Sequence, residues 1–83
     1  MKARVTVTLK TGVLDPQGQA IEGSLKGLGF PDVAQVRQGK VFDIVLDESF
    51  GTDEAGARSQ LTSMCEKLLA NTVIENYAIE ISN

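Results

Sequence analysis

The stretch Val33-Ala34-Gln35-Val36-Arg37-Gln38-Gly39-Lys40-Val41-Phe42-Asp43-Ile44-Val45-Leu46 decides how the rest of the chain is read. Val33 to Gln38 and Val41 to Leu46 read as two strands around Gly39, a hairpin with a short turn. The second strand is apolar on both faces: Phe42, Ile44 and Leu46 form one row, while Val41 and Val45 flank Asp43 on the other. A two-residue turn places Ala34 and Val36 beside Val41 and Val45; a three-residue turn places them with Phe42 and Ile44. Both registers are compatible with the pattern.

Before this hairpin, Lys2 to Leu9 alternate, with Ala3, Val5, Val7 and Leu9 on one side and Arg4, Thr6 and Thr8 on the other, which predicts a strand with one buried face. Thr11-Gly12 breaks that pattern. Asp15-Pro16 then starts a helix, with Asp as N-cap and Pro at the first helical position. Ala20, Ile21, Leu25 and Leu28 recur at helical spacing, Gly27 and Gly29 close the helix, and Pro31 prevents its resumption. Gly18 and Gly23 lie inside it and each costs about 1 kcal/mol relative to alanine, so packing must supply the deficit.

After the hairpin, Thr52 or Asp53 caps a second helix whose apolar stripe is Ala57, Leu61, Met64, Cys65 and Leu68. Asn71 ends it. Ile74 and then Tyr77, Ile79 and Ile81, alternating with Ala78 and Glu80, predict a last strand. The order is β-α-β-β-α-β, an α+β two-layer sandwich of the ferredoxin-like kind. The expectation is one domain over residues 1–83, with a four-stranded antiparallel sheet carrying two helices on one face.

With 83 residues and an apolar fraction of 42%, the chain has enough material for one small core. Cys65 is the only cysteine, so no internal disulfide can reinforce that core, and a binding partner would add stability. The lone cysteine, the absence of a long apolar run, and an N-terminus that passes directly from Met1 into the strand pattern predict a cytoplasmic protein without a signal peptide. Eight basic against eleven acidic residues, a net charge of −3, disfavour nucleic acid and anionic membranes as partners.

The chemistry-bearing residues are sparse. There is no histidine, which removes the commonest general base and most metal sites. Cys65 lies on the apolar stripe beside Glu66, which raises a thiol pKa, so its expected role is structural. Asp47-Glu48 ends a strand and Asp53-Glu54 opens a helix, positions that suit solvation and dipole compensation better than a cation. The loop Lys10 to Gly18 leads into a helix N-terminus, but Pro16 deletes one donor and Asp15 places a negative charge where an anion would sit. No catalytic, cofactor-binding or metal residue is predicted.

The fold order alone hosts many functions. An RNA-recognition domain would carry stacking aromatics on its central strands, where this chain has Val41, Asp43 and Val45. An acylphosphatase-like enzyme would need an arginine in the first loop, and a metal chaperone a Cys-x-x-Cys pair; neither is present.

Two stretches are more particular. Lys10-Thr11-Gly12-Val13-Leu14-Asp15-Pro16-Gln17-Gly18 followed by Ala20, and Cys65-Glu66-Lys67-Leu68-Leu69-Ala70-Asn71-Thr72-Val73-Ile74-Glu75-Asn76-Tyr77, resemble the two signature segments of the PurS family, and Val36-Arg37-Gln38-Gly39-Lys40 fits its hairpin. PurS is the small subunit of phosphoribosylformylglycinamidine synthase, the formylglycinamide ribonucleotide amidotransferase of de novo purine synthesis. The resemblance implies an assembly role. A glutaminase subunit releases ammonia, a large synthetase subunit uses ATP and Mg²⁺ to activate the amide, and the small subunit, as a dimer, bridges the two.

The resemblance implies a subunit of an ATP-dependent, glutamine-using C–N ligase, and the sparse chemistry predicts a chain inactive by itself and holding no cofactor. Its partners would be the synthetase and glutaminase subunits and a second copy. The rival expectation is an ACT-like regulatory module that binds a small molecule. Val13 and Leu14 are apolar in a loop, with Lys10 and Gln17 beside them, a mixture suited to a partner interface. Val41 and Val45, turned from the helix-bearing face, are the candidates for self-association.

Overall fold

Asp15 does what the sequence requires of an N-cap: one carboxylate oxygen accepts from the Gly18 N–H at 2.9 Å, and Pro16 opens the helix. In a computed structural model of the chain, which describes residues 1–47 and 53–82, the elements are β1 (Lys2–Leu9), α1 (Pro16–Gly27), β2 (Gly39–Val45), α2 (Glu54–Met64) and β3 (Glu75–Ser82). Asp53 caps α2 by accepting from the Ala55 N–H at 3.0 Å, and Glu54 stands in its first turn. Thr52, the other candidate cap, and Glu48 lie outside the described residues.

β1 is the centre of a three-stranded antiparallel sheet of order β2-β1-β3. Its register stacks Ala3 with Ile44 and Ile81, and Val5 with Phe42 and Ile79, on one face. α2 lies on that face. Ala3, Leu46, Ala57 and Leu61 form one end of the core, and Val5, Val7, Cys65 and Ala70 the other. The predicted first and last strands and the inward row of β2 are therefore present, because period-two alternation on one buried face admits a single orientation.

The expected fourth strand is not formed. Residues 33–38 make no ladder and run beside the start of α1. The Gln38 N–H, a donor a hairpin would need, is given to the second Asp15 carboxylate oxygen at 2.8 Å. The Arg37 guanidinium donates to the Leu9 and Lys10 carbonyls at 3.1 and 3.3 Å. Gly39 is not in the left-handed region that a tight hairpin turn demands; it pairs with Thr8 as the first residue of β2. Neither hairpin register applies.

Two further corrections follow the helices. Of α1 only Gly18 is buried, and α1 shares no substantial packing with any strand or with α2, so the two helices do not lie together on one face. The helix does close as expected: Gly29, at φ +103°, lets the Phe30 N–H reach the Leu25 carbonyl at 3.0 Å. α2 continues into a π-helical turn, Cys65–Leu69, closed by the Ala70 N–H on the Cys65 carbonyl at 3.0 Å. The wider turn advances the helix phase. It sends Leu68 outward, 83% exposed, and brings Leu69 and Ala70 to the core in its place.

Candidate interaction surfaces

Loop residues 10–15 are held from three sides. The Lys10 N–H donates to the Ile74 carbonyl at 2.8 Å, so the loop is tied to the turn before β3, and the Val13 N–H returns to the Lys10 carbonyl at 3.1 Å. Arg37 clasps the same loop, and Asp15 holds both α1 and Gln38. These N–H groups, Gln38 first and Gly18 second, keep the Asp15 carboxyl below the usual aspartate range. Gly18 is required here: a Cβ would come within 2.5 Å of both an Asp15 oxygen and the Val36 carbonyl.

The loop candidates do not form one patch. Val13, half-buried, and Leu14, exposed, line a depression with Val36 and Arg37. Gln17 lines a separate cleft of about 370 Å³ with Leu9, Gln38, Lys40 and Glu75. Lys10 lines neither and stands beside Ile74.

The opposite face of the sheet is left uncovered by the described residues. Val41 and Val45 both point there, 55% and 77% exposed. Between them the Arg4 Nε donates to an Asp43 oxygen at 2.8 Å, across the β1–β2 pair, with Glu80 on the next strand. Each partner holds the other charged: Asp43 is shifted down and Arg4 up by their hydrogen bond. The two valines are thus separated by an ion pair instead of forming a continuous apolar strip. The larger apolar exposure, which the sequence pattern did not reveal, is on and after α1: Ile21, Leu28 and Phe30 at 41%, 74% and 56%.

The reactive groups are closed. Cys65 is fully buried, and burial foremost, with the Glu66 charge second, pushes its thiol upward in pKa, away from the nucleophilic thiolate. The Tyr77 hydroxyl donates to a Glu66 oxygen at 2.6 Å. Among the described residues no three acids or cysteines converge as metal ligands, and no helix is long and apolar enough to cross a membrane.

Comparison with known proteins follows the same lines. The family profile PurS, phosphoribosylformylglycinamidine (FGAM) synthase, matches residues 2–83. The phosphoribosylformylglycinamidine synthase subunit PurS of Synechocystis sp. is 51% identical over 79 residues, 95% of this chain and 76% of that protein. The crystal structure of Methanocaldococcus jannaschii PurS, one of the subunits of formylglycinamide ribonucleotide amidotransferase in the purine biosynthetic pathway, superposes with a TM-score of 0.86 at 40% identity, covering 99% of this chain and 95% of that one. The structure of PurLQS from Thermotoga maritima contains a chain that matches with a TM-score of 0.83 at 28% identity, over 95% and 93% of the two chains. With identities of this size over nearly all of its length, the chain belongs to the PurS family of phosphoribosylformylglycinamidine synthase subunits.

Proposed function

We propose that the chain acts as a non-catalytic assembly subunit, bridging the glutaminase and the ATP-dependent synthetase of phosphoribosylformylglycinamidine synthase and supporting ammonia transfer between them. The observation that carries this reading is α1. It bears Ile21 and Leu25, is followed by Leu28 and Phe30, and shares no substantial packing with α2 or with the described strands. The radius of gyration, 16.5 Å, exceeds the roughly 12 Å of a compact domain of this length. An isolated helix of 12 residues is marginal in water, so α1 needs a cover that another molecule supplies.

In this reading residues 1–83 work as one unit in the cytoplasm, as a dimer or higher oligomer, with α1 or the Val41 and Val45 face at the self-contact. Lys10, Val13, Leu14 and Gln17 serve the larger subunits. ATP and Mg²⁺ belong to the synthetase; this chain holds no cofactor, and its buried Cys65 performs no chemistry.

The experiment is reconstitution. The purified chain should show no glutaminase or ATPase turnover. Omitting it from a mixture of the two larger subunits should depress glutamine-driven synthesis far more than synthesis supplied with free ammonia. Equal glutamine-driven rates with and without the chain would overturn the reading.

A further inference from the structure

We propose that one self-contact of this chain is an edge-to-edge pairing of β2 with β2 of a second copy, antiparallel about Phe42, which joins two three-stranded sheets into one. The hydrogen-bond phase of the sheet identifies the free groups. The Leu46 N–H meets the Met1 carbonyl at 2.9 Å, and in an antiparallel ladder bonded pairs alternate with non-bonded ones. Continued along the register, Ala3 with Ile44, Val5 with Phe42 and Val7 with Lys40 are bonded pairs. Val41, Asp43 and Val45 therefore turn their N–H and carbonyl groups away from β1, and no hydrogen bond from another described residue reaches those groups. On the other side the Lys10 N–H on the Ile74 carbonyl sets the phase, and it turns Tyr77, Ile79 and Ile81 outward from β3.

The two edges differ in what guards them. The Arg58 guanidinium, from α2, donates to the Ile79 carbonyl at 3.1 Å and so occupies the middle of the β3 edge. No side chain among the described residues does the same on β2. Edges are ordinarily kept apart by free charge, proline or a bulge. β2 has no proline, and its two charges are committed within the sheet, Asp43 to Arg4 at 2.8 Å and Lys40 to Glu75 at 3.9 Å. The hairpin strand expected on this edge, residues 33–38, is held elsewhere by Asp15 and by its own Arg37. Symmetry then selects the occupant. β2 on a β3 edge would leave a free edge at each end and run on as a filament, whereas β2 on β2 uses the same patch twice and closes at two copies. Centred on Phe42, the pairing spans all of Gly39–Val45 and sets Val41 opposite Asp43 of the other copy. The residues that carry the free groups thus meet one another, as a ladder requires. Centring on Asp43 would set two carboxylates opposite each other, and centring on Val41 would run Ile44 and Val45 past the end of the strand.

This inference rests on the oligomer of the reading above, and the test keeps it apart from bridging. Val41→Pro deletes an outward N–H and no bond to β1, the kind of position at which an edge strand tolerates proline. Sedimentation and thermal melting compare the native chain, Val41→Pro, Val41→Cys, and Val41→Cys with Asp43→Cys. Val41→Pro should weaken self-association at least tenfold while its unfolding stays cooperative. The double cysteine variant, mildly oxidised, should run as a disulfide-linked dimer under denaturing conditions, because a bonded cross-strand pair lies about 5.5 Å apart at Cα, within reach of a disulfide. Val41→Cys alone should not link, and the native Cys65 is fully buried. A folded Val41→Pro that associates as tightly as the native chain would overturn the proposal. Should that variant not fold, absence of the linked dimer in the double variant would overturn it instead. Efficient linking by Val41→Cys alone would refute the register. A native chain that sediments as a monomer at micromolar concentration would overturn the pairing, while bridging is judged separately by reconstitution. Unchanged self-association in Val41→Pro, with binding to the synthetase or glutaminase lost, would give the edge to a strand of that subunit and refute the second copy.

Discussion

The described residues form two α-helices of nearly equal length, 12 and 11 residues, each started by an aspartate side chain on a backbone N–H. One is built into the fold and the other is not. α2 buries Ala57, Leu61 and, at its end, Cys65 to 2%, 0% and 0% exposure, against the inward row of the sheet. α1 leaves Ile21, and Leu28 just after it, open, and its first turn is tied to residues 36–38, with Asp15 accepting from the Gln38 N–H. Capping and spacing make a helix, but only an opposing apolar face gives it a place. Here α2 stabilises the single chain, whereas α1, in the proposed reading, draws its cover from a partner.

The contrast predicts a graded set of responses. Leu61→Ala opens a cavity beneath α2 and should cost about 2–5 kcal/mol, a large share of the stability of a domain this small, read by urea unfolding. Cys65→Ser should cost about 1–3 kcal/mol from an unmatched hydroxyl in the core, and glutamine-driven synthesis by the reconstituted complex should persist. A collapse of turnover in a folded Cys65→Ser complex would give the thiol a chemical role.

The caps come next and sharpen the comparison. Asp53→Ala should cost about 1 kcal/mol, the ordinary value of an N-cap. Asp15→Ala should cost more, because it also frees Gln38 and with it the 33–38 segment. Its carboxyl is depressed, so the stability it contributes is complete above the ordinary aspartate value of 3.8 and is lost as pH falls below it, through the lowered pKa. Thermal melts of the native chain and Asp15→Asn between neutral pH and pH 2 should converge at the acid end; parallel curves would deny the clamp.

The smallest effects on folding are expected at the exposed apolar positions, within about 0.5 kcal/mol for the dilute chain. Leu28→Lys and Val45→Lys then ask which surface holds copies together in the proposed oligomer. Each is followed by sedimentation, and the one whose mass falls marks the self-contact. If neither dissociates the oligomer, both α1 and the open face are free for the larger subunits.

Much of the fold was legible in the residues. The alternation of Lys2 to Leu9 and of Tyr77 to Ile81, the caps at Asp15 and Asp53, and the glycine closure of α1 are local signals within one element, and each appears as read. The inward position of Cys65 and the outward position of Val41 and Val45 follow from the same periods. What misled was a contest between distant groups. Val33 to Gln38 has the composition of a strand, yet its Gln38 N–H and Arg37 side chain are taken by Asp15 and the end of β1, between 23 and 28 positions away.

What the amino-acid order determined by itself, then, is the set of elements and the buried face of each, because side-chain period and capping depend on neighbours only a few residues apart. Three things were decided by the tertiary structure alone. Residues 33–38 became a strap instead of an edge strand. The π-helical turn moved Leu68 out and Leu69 in. The loop at Lys10 was tied to the turn at Ile74 by a backbone hydrogen bond. Each depends on which hydrogen-bond partner, among several of comparable strength, is brought within reach once the sheet and α2 have closed on their shared core.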